Sequence, residues 1–349
     1  MFTKILVPLD GSERAERAVA VAGRIARTSA ASILLLRVVE IPVVYPAHFA
    51  EPPLTDEQVA MDNAENYLKQ IAQSATLAGV KVETSVVFGA PAARLLEAAE
   101  TYRVDLIVMC SHGYTGLKRW MLGSVADKTV RHTSVPTLIL REQGPAPLTP
   151  ITVNPVPLRA LATVDGSELA EEVLAPTIQL LLALAPDTPK ELHLLRVVDL
   201  PTIAGVGKVQ AHLTAGIIEE AKKEAVDSMT ALIARLQQEI PQSTAITMSS
   251  TVAVDTDVAA AIIREAEEGE KSGEDGSRSY DLIAMATHGR SAVPRWMLGS
   301  ITERVLHHTN LPLFVVRPGK MVQEATEKSS QQHAEAAKQV EFGEFPAIL

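Results

Sequence analysis

The feature that most constrains this chain is a segment it contains twice. Met109-Cys110-Ser111-His112-Gly113 runs on to Trp120-Met121-Leu122-Gly123-Ser124, and Met285-Ala286-Thr287-His288-Gly289 runs on to Trp296-Met297-Leu298-Gly299-Ser300. The offset is 288 − 112 = 176 for the histidines and 296 − 120 = 176 for the tryptophans, and it holds without a gap to Pro136 and Pro312. Such an offset marks a duplicated structural unit.

Each copy reads as strand, glycine loop, short segment, glycine-serine, helix. Residues 104–109 and 282–285 are apolar runs with β-branched members, as expected of a parallel strand buried on both faces. Gly113 and Gly289 follow, where the chain must turn and its backbone can approach a ligand. After nine intervening residues Gly123-Ser124 and Gly299-Ser300 open an amphipathic segment. A helix N-terminus offers free N–H groups and a positive dipole end, which suits phosphate. A second reading stands beside it: Ser124 with Asp127, and Ser300 with Glu303, each spell a capping box that needs no ligand.

The duplicated segment resembles that of the universal stress protein family, whose ATP-binding members carry Gly-x2-Gly-x9-Gly-Ser/Thr near the end of the domain. Cys110 and Ala286 stand where that pattern has its first glycine; the other elements are present in both repeats. The resemblance covers nearly the whole chain as two domains in tandem. It implies two doubly wound parallel five-stranded α/β sheets, Rossmann-like and of the adenine nucleotide alpha hydrolase type, forming an internal pseudo-dimer through their last strands. It also implies ATP, with or without Mg²⁺, as ligand. The implied site is Asp10, Val38, Met109, His112, Gly113, Gly123, Ser124, Val125 and Ala126 in repeat 1. In repeat 2 it is Asp165, Val197, Met285, His288, Gly289, Gly299, Ser300, Ile301 and Thr302.

The order of segments agrees with that fold. Residues 4–9 form an apolar strand ending in Asp10-Gly11-Ser12, with Ser12 as N-cap of an alanine-rich helix. Strands at 32–39, 80–87, 104–109 and 137–140 alternate with helices at 55–77 and 91–102, a pattern that implies a parallel doubly wound sheet. The pattern restarts at Leu161-Ala162-Thr163-Val164-Asp165-Gly166-Ser167. The boundaries read as domain 1 at 1–144, a Pro-rich linker at 145–157, domain 2 at 158–319 and a polar tail at 320–349. A charged Gly/Ser-rich insertion falls at about 267–279. In an open α/β sheet ligands bind outside the carboxyl ends of the strands, where Asp10 and Gly113 fall together.

Composition narrows the function. A net charge of −10 and a sequence pI of about 5.5 argue against a nucleic-acid surface. One cysteine excludes an intramolecular disulfide framework and suits a reducing cytosol. No apolar run reaches the ~18 residues of a membrane span, and a strand at Lys4 leaves no room for a signal peptide, so a cytoplasmic protein is expected.

The chemistry points to binding more than to catalysis. No Gly-x4-Gly-Lys-Ser/Thr occurs, so the usual phosphate-binding lysine and Mg²⁺ hydroxyl are missing as a unit. Arg119 and Arg295 flank the tryptophans and suit surface packing as well as charge stabilisation. His307 and His308 are adjacent on a helix and make a poor metal pair. The expected function is ATP binding as a regulatory ligand. A nucleotide-independent protein-interaction scaffold and a slow ATP hydrolase stay open as alternatives, as does a homo-oligomer beside the pairing of the repeats.

Overall fold

The computed structural model describes residues 1–40, 54–111, 122–141, 156–199, 208–241, 244–269, 278–289 and 298–319. The expected site residues His112 and Gly113, both tryptophans, Arg119, Arg295, most of the linker and insertion, and the tail lie outside them.

Repeat 1 contains β1 (Lys4–Pro8), α1 (Glu13–Ser29), β2 (Ser32–Val39), α2 (Leu54–Ala72), β3 (Lys81–Phe88), α3 (Pro91–Thr101), β4 (Leu106–Cys110), α4 (Ser124–His132) and β5 (Thr137–Leu140). Repeat 2 contains β6 (Leu158–Thr163), α5 (Glu168–Glu171), α6 (Leu174–Leu184), β7 (Lys190–Asp199), α7 (Lys208–Glu239), β8 (Ile246–Asp255), α8 (Val258–Glu268), β9 (Leu282–Ala286), α9 (Ser300–His308) and β10 (Leu313–Val316).

The strands are apolar because the sheet is covered on both faces. Ile5, Val7, Ile33, Leu35, Leu106 and Val108 pack on one face with α1, and across the repeats with α6 and α7. Their neighbours in sequence, Leu6, Leu34, Leu36, Ile107 and Met109, pack on the other with α3, α4, α8 and α9. The period of two along each strand sorts the residues between two hydrophobic layers.

Strand order is β3-β2-β1-β4-β5-β10-β9-β6-β7-β8 in one ten-stranded sheet. Every pairing is parallel except one. β10 runs antiparallel to β5, with Leu313 opposite Ile139, Phe314 opposite Leu138 and Val315 opposite Thr137. The last strand of each repeat thus satisfies the backbone groups that an edge would expose. Across this seam the Arg141 guanidinium donates to the Leu306 carbonyl and the Arg317 guanidinium to the Arg131 carbonyl, two bonds from equivalent positions. Burial pushes the Arg141 guanidinium down to about 10.

Two helices depart from the sequence expectation. The helix predicted over 55–77 stops at Ala72, and a separate 3-10 turn covers Ala75–Leu77. The first helix of repeat 2 is broken into α5 and α6, whereas its counterpart α1 is continuous over 17 residues. Pro176 supplies the reason: it has no N–H for the carbonyl of Glu172 and its ring crowds that turn. Among the described residues no helix is long and apolar enough to cross a membrane.

Candidate functional site

In each repeat the strand order reverses between two neighbours, β1 and β4 in the first and β6 and β9 in the second. Side chains leaving the carboxyl ends of those strands border a crevice. In repeat 2 the crevice is a cavity of about 320 Å³, within the ~300–1,000 Å³ range of small-molecule pockets. Its walls come from Thr163 to Asp165 at the end of β6, Leu195 and Val197 on β7, Met285 to Gly289 at the end of β9, and Leu298 to Glu303 at the start of α9. All nine site residues expected in repeat 2 border this one space.

Asp165 is fixed by its own turn. Its Oδ1 accepts from the Ser167 N–H at 2.9 Å and from the Ser167 hydroxyl at 2.6 Å. Gly166 adopts φ +85°, which a side chain would strain. The other carboxylate oxygen faces Gly289: a Cβ there would lie 2.0 Å from Asp165 Oδ2. Turn and glycine loop therefore close on each other, and a side chain at 289 would require the Asp165 carboxylate to move. Asp10 repeats the turn, with Oδ1 accepting from the Ser12 N–H at 3.0 Å and its hydroxyl at 2.6 Å.

The start of α9 bears on the capping-box reading of the glycine-serine pair. Gly299 is the N-cap and Ser300 the first helical residue, with no side-chain cap bond; α4 starts in the same way at Gly123 and Ser124. The capping-box expectation is therefore corrected. The chain enters the helix one residue earlier because the Gly299 N–H donates to the Thr287 carbonyl at 2.9 Å, as Gly123 does to Ser111 at 2.7 Å. A Cβ on Gly299 would lie 2.8 Å from the Thr287 oxygen. A glycine cap leaves the first-turn N–H groups without a side-chain acceptor, next to the positive end of the helix dipole.

Three side chains shape the floor. His288 is 4% exposed, and its Nδ1 lies 3.0 Å from the Thr287 hydroxyl. The Thr302 hydroxyl donates to the Ala286 carbonyl at 2.9 Å, so of that residue's polar groups the backbone N–H is the one that the first turn offers. Val197 and Ile301 pack against the same apolar layer as Met285. The small side chain at the motif's first glycine position is accommodated in both repeats: Ala286 borders the cavity, and the Cys110 thiol donates to the Arg14 carbonyl at 2.8 Å.

In repeat 1, Asp10, Met109, Gly123, Ser124, Val125 and Ala126 hold the equivalent positions. Val38 instead borders a separate cavity of about 480 Å³ with Gly11, Arg37, Asn63 and Tyr67. Among the described residues no group of three or more His, Cys, Asp or Glu side chains could hold a metal ion.

The sequence model of the universal stress protein family matches residues 1–141 and again residues 158–317. The chain belongs to the universal stress protein family. A universal stress protein of Methanocaldococcus jannaschii is 32% identical over 144 residues, covering 41% of this chain and 84% of that protein. One from Bacillus subtilis is 33% identical over 152 residues, covering 40% of this chain and 100% of that protein. Each alignment is about one repeat long. The crystal structure of a universal stress protein from Archaeoglobus fulgidus covers 90% of this chain and 98% of its own, with a TM-score of 0.61 at 21% identity. A putative member from Pseudomonas aeruginosa covers 94% and 98%, with a TM-score of 0.58 at 17% identity. These two structures share the universal stress protein fold over both repeats.

The cleft of this universal stress protein has walls that the motif did not include. Leu195, Val258, Ile262 and Glu303 all border it. Leu195 was within reach of sequence reasoning, since it lies two residues before Val197 and shares its face of β7. Val258 and Ile262 are four apart on α8, which the sheet topology alone brings over the cleft.

Proposed function

We propose that this universal stress protein binds ATP as a regulatory ligand at the carboxyl-edge cleft of each repeat. The single observation that supports the reading is the start of α9, a helix with a glycine cap opening on a cavity that has an apolar wall of Leu195, Val197, Val258, Ile262 and Met285. Adenine suits the wall of Val197, Leu195 and Met285; Asp165 is the polar group beside it, in reach of a ribose hydroxyl. The phosphates suit the N–H groups of Ser300, Ile301 and Thr302, where the helix dipole favours negative charge. In repeat 1 the same roles fall to Asp10, Met109, Gly123, Ser124, Val125 and Ala126, with His112 and Gly113 from the loop, and to Val38, which packs on the same apolar layer as Val197 while also bordering the second cavity. The domain boundaries at 144, 157 and 319 belong to this proposal, as does a cytoplasmic location.

The chain lacks the lysine-bearing phosphate loop of efficient nucleotide hydrolases, so bound ATP acts here through occupancy. The test is mass spectrometry of freshly purified protein after denaturation. Released adenine nucleotide, at up to two per chain, is the expected result. Protein that emerges free of nucleotide and binds none on addition of ATP supports the scaffold reading instead.

A further inference from the structure

The first turn of α9 carries a carboxylate as well as free N–H groups. Glu303 is among the residues that border the cavity, which puts its negative charge close to the space assigned to the phosphates. It is not left alone. Arg131, on α4 of repeat 1, places Nη2 2.6 Å from Glu303 Oε1 across the seam between the repeats. The same guanidinium holds Asp127, the residue equivalent to Glu303 in the first turn of α4, with Nε at 3.0 and 2.9 Å from its two oxygens. Asp127 first, and Glu303 next, raise the affinity of Arg131 for its proton, so its charge is fixed.

The arrangement is one-sided. At the position 131 + 176 = 307 repeat 2 has histidine where repeat 1 has arginine. His307 Nε2 lies 3.7 Å from Asp127 Oδ1, beyond hydrogen-bond reach. Among the described residues one arginine therefore serves the first turns of both loop helices, and repeat 2 receives this compensating charge from the other half of the molecule.

We propose that Arg131 is a positioning residue for the repeat 2 site: by binding Glu303 it neutralises and draws aside the carboxylate in the first turn of α9, which would otherwise repel the outer phosphates. This rests on the reading of the cleft as a nucleotide site. It makes phosphate recognition in repeat 2 depend on a residue of repeat 1, so that the seam is a functional element. The effect falls on the outer phosphates and spares the adenosine, since Glu303 stands at the helix start and not at the β7 wall.

Calorimetric titration with ATP and with AMP tests this, in an Asp10→Ala background that reserves the signal for repeat 2. Arg131→Met should weaken ATP about five-fold and leave AMP within about two-fold, as one charge uncovered in a partly hydrated site implies. Arg131→Met combined with Glu303→Gln should restore ATP affinity, because the repelling charge is gone. Should the single variant fail to fold, as judged by circular dichroism, the neutral pair in the double variant still decides: wild-type ATP affinity supports the proposal and weak ATP binding overturns it. An unchanged ATP affinity in Arg131→Met, or equal losses for ATP and AMP, would also overturn it. A parent chain that binds neither nucleotide would overturn the nucleotide reading itself, and this inference with it.

Discussion

At Gly289 the fold and the proposed function make the same demand. The Asp165 carboxylate stands where a side chain would begin, so any substitution displaces the turn, the loop or both. Gly289→Val is expected to remove nucleotide from repeat 2 and leave repeat 1 occupied, halving the calorimetric stoichiometry. Two ATP bound per folded variant chain would show that this backbone is not at the site. The position was legible in the sequence, because a glycine after a strand and a matched copy 176 residues away point to close approach. What it approaches was not legible. Asp165 is 124 residues distant in sequence (289 − 165), and only the order of strands β6 and β9 brings the two together.

Helix starts show how an element can be read correctly in kind and wrongly in register. Ser-x-x-Glu at 300–303 satisfies the capping-box pattern, and Ser12 and Ser167 do act as N-caps, accepting from the third residue beyond at 3.2 Å in each case. At α9 the pattern is overridden by the Gly299–Thr287 backbone bond, which no local sequence rule contains. The consequence can be measured by urea denaturation without nucleotide. Ser167→Ala should cost about 1 kcal/mol, as for loss of a helix cap. Ser300→Ala should stay within about 0.5 kcal/mol of the parent, since its hydroxyl caps nothing. Equal losses at the two serines would mean that Ser300 is the N-cap after all. The same limit on local reading explains α5 and α6: the sequence shows Pro176, but whether a proline kinks or ends a helix depends on what packs beneath it.

On the scale of the molecule, the duplication carries the argument. Two like sheets, each ending in a short apolar strand, become one sheet when β5 and β10 pair. Leu138, Ile139, Leu140, Leu313 and Phe314 are fully buried there, so the seam is hydrophobic core as well as backbone ladder. Leu140→Asp places a carboxylate in that core and should lower stability by about 2 kcal/mol or more. Thermal unfolding near that of the parent would show that the strands part in solution. The alternation of strands and helices made this architecture legible, and the 176-residue offset made its near-symmetry legible too. The pairing of one arginine with two carboxylates was not, because its partners come from both repeats. The central claim is that the cleft recognises adenosine through its apolar wall and the outer phosphates through the start of α9. Calorimetric comparison of ATP with AMP tests it most directly. ATP binding at least about ten-fold tighter than AMP is expected from phosphate held by backbone N–H groups and a helix dipole. Equal affinities, or no binding of either, would contradict it.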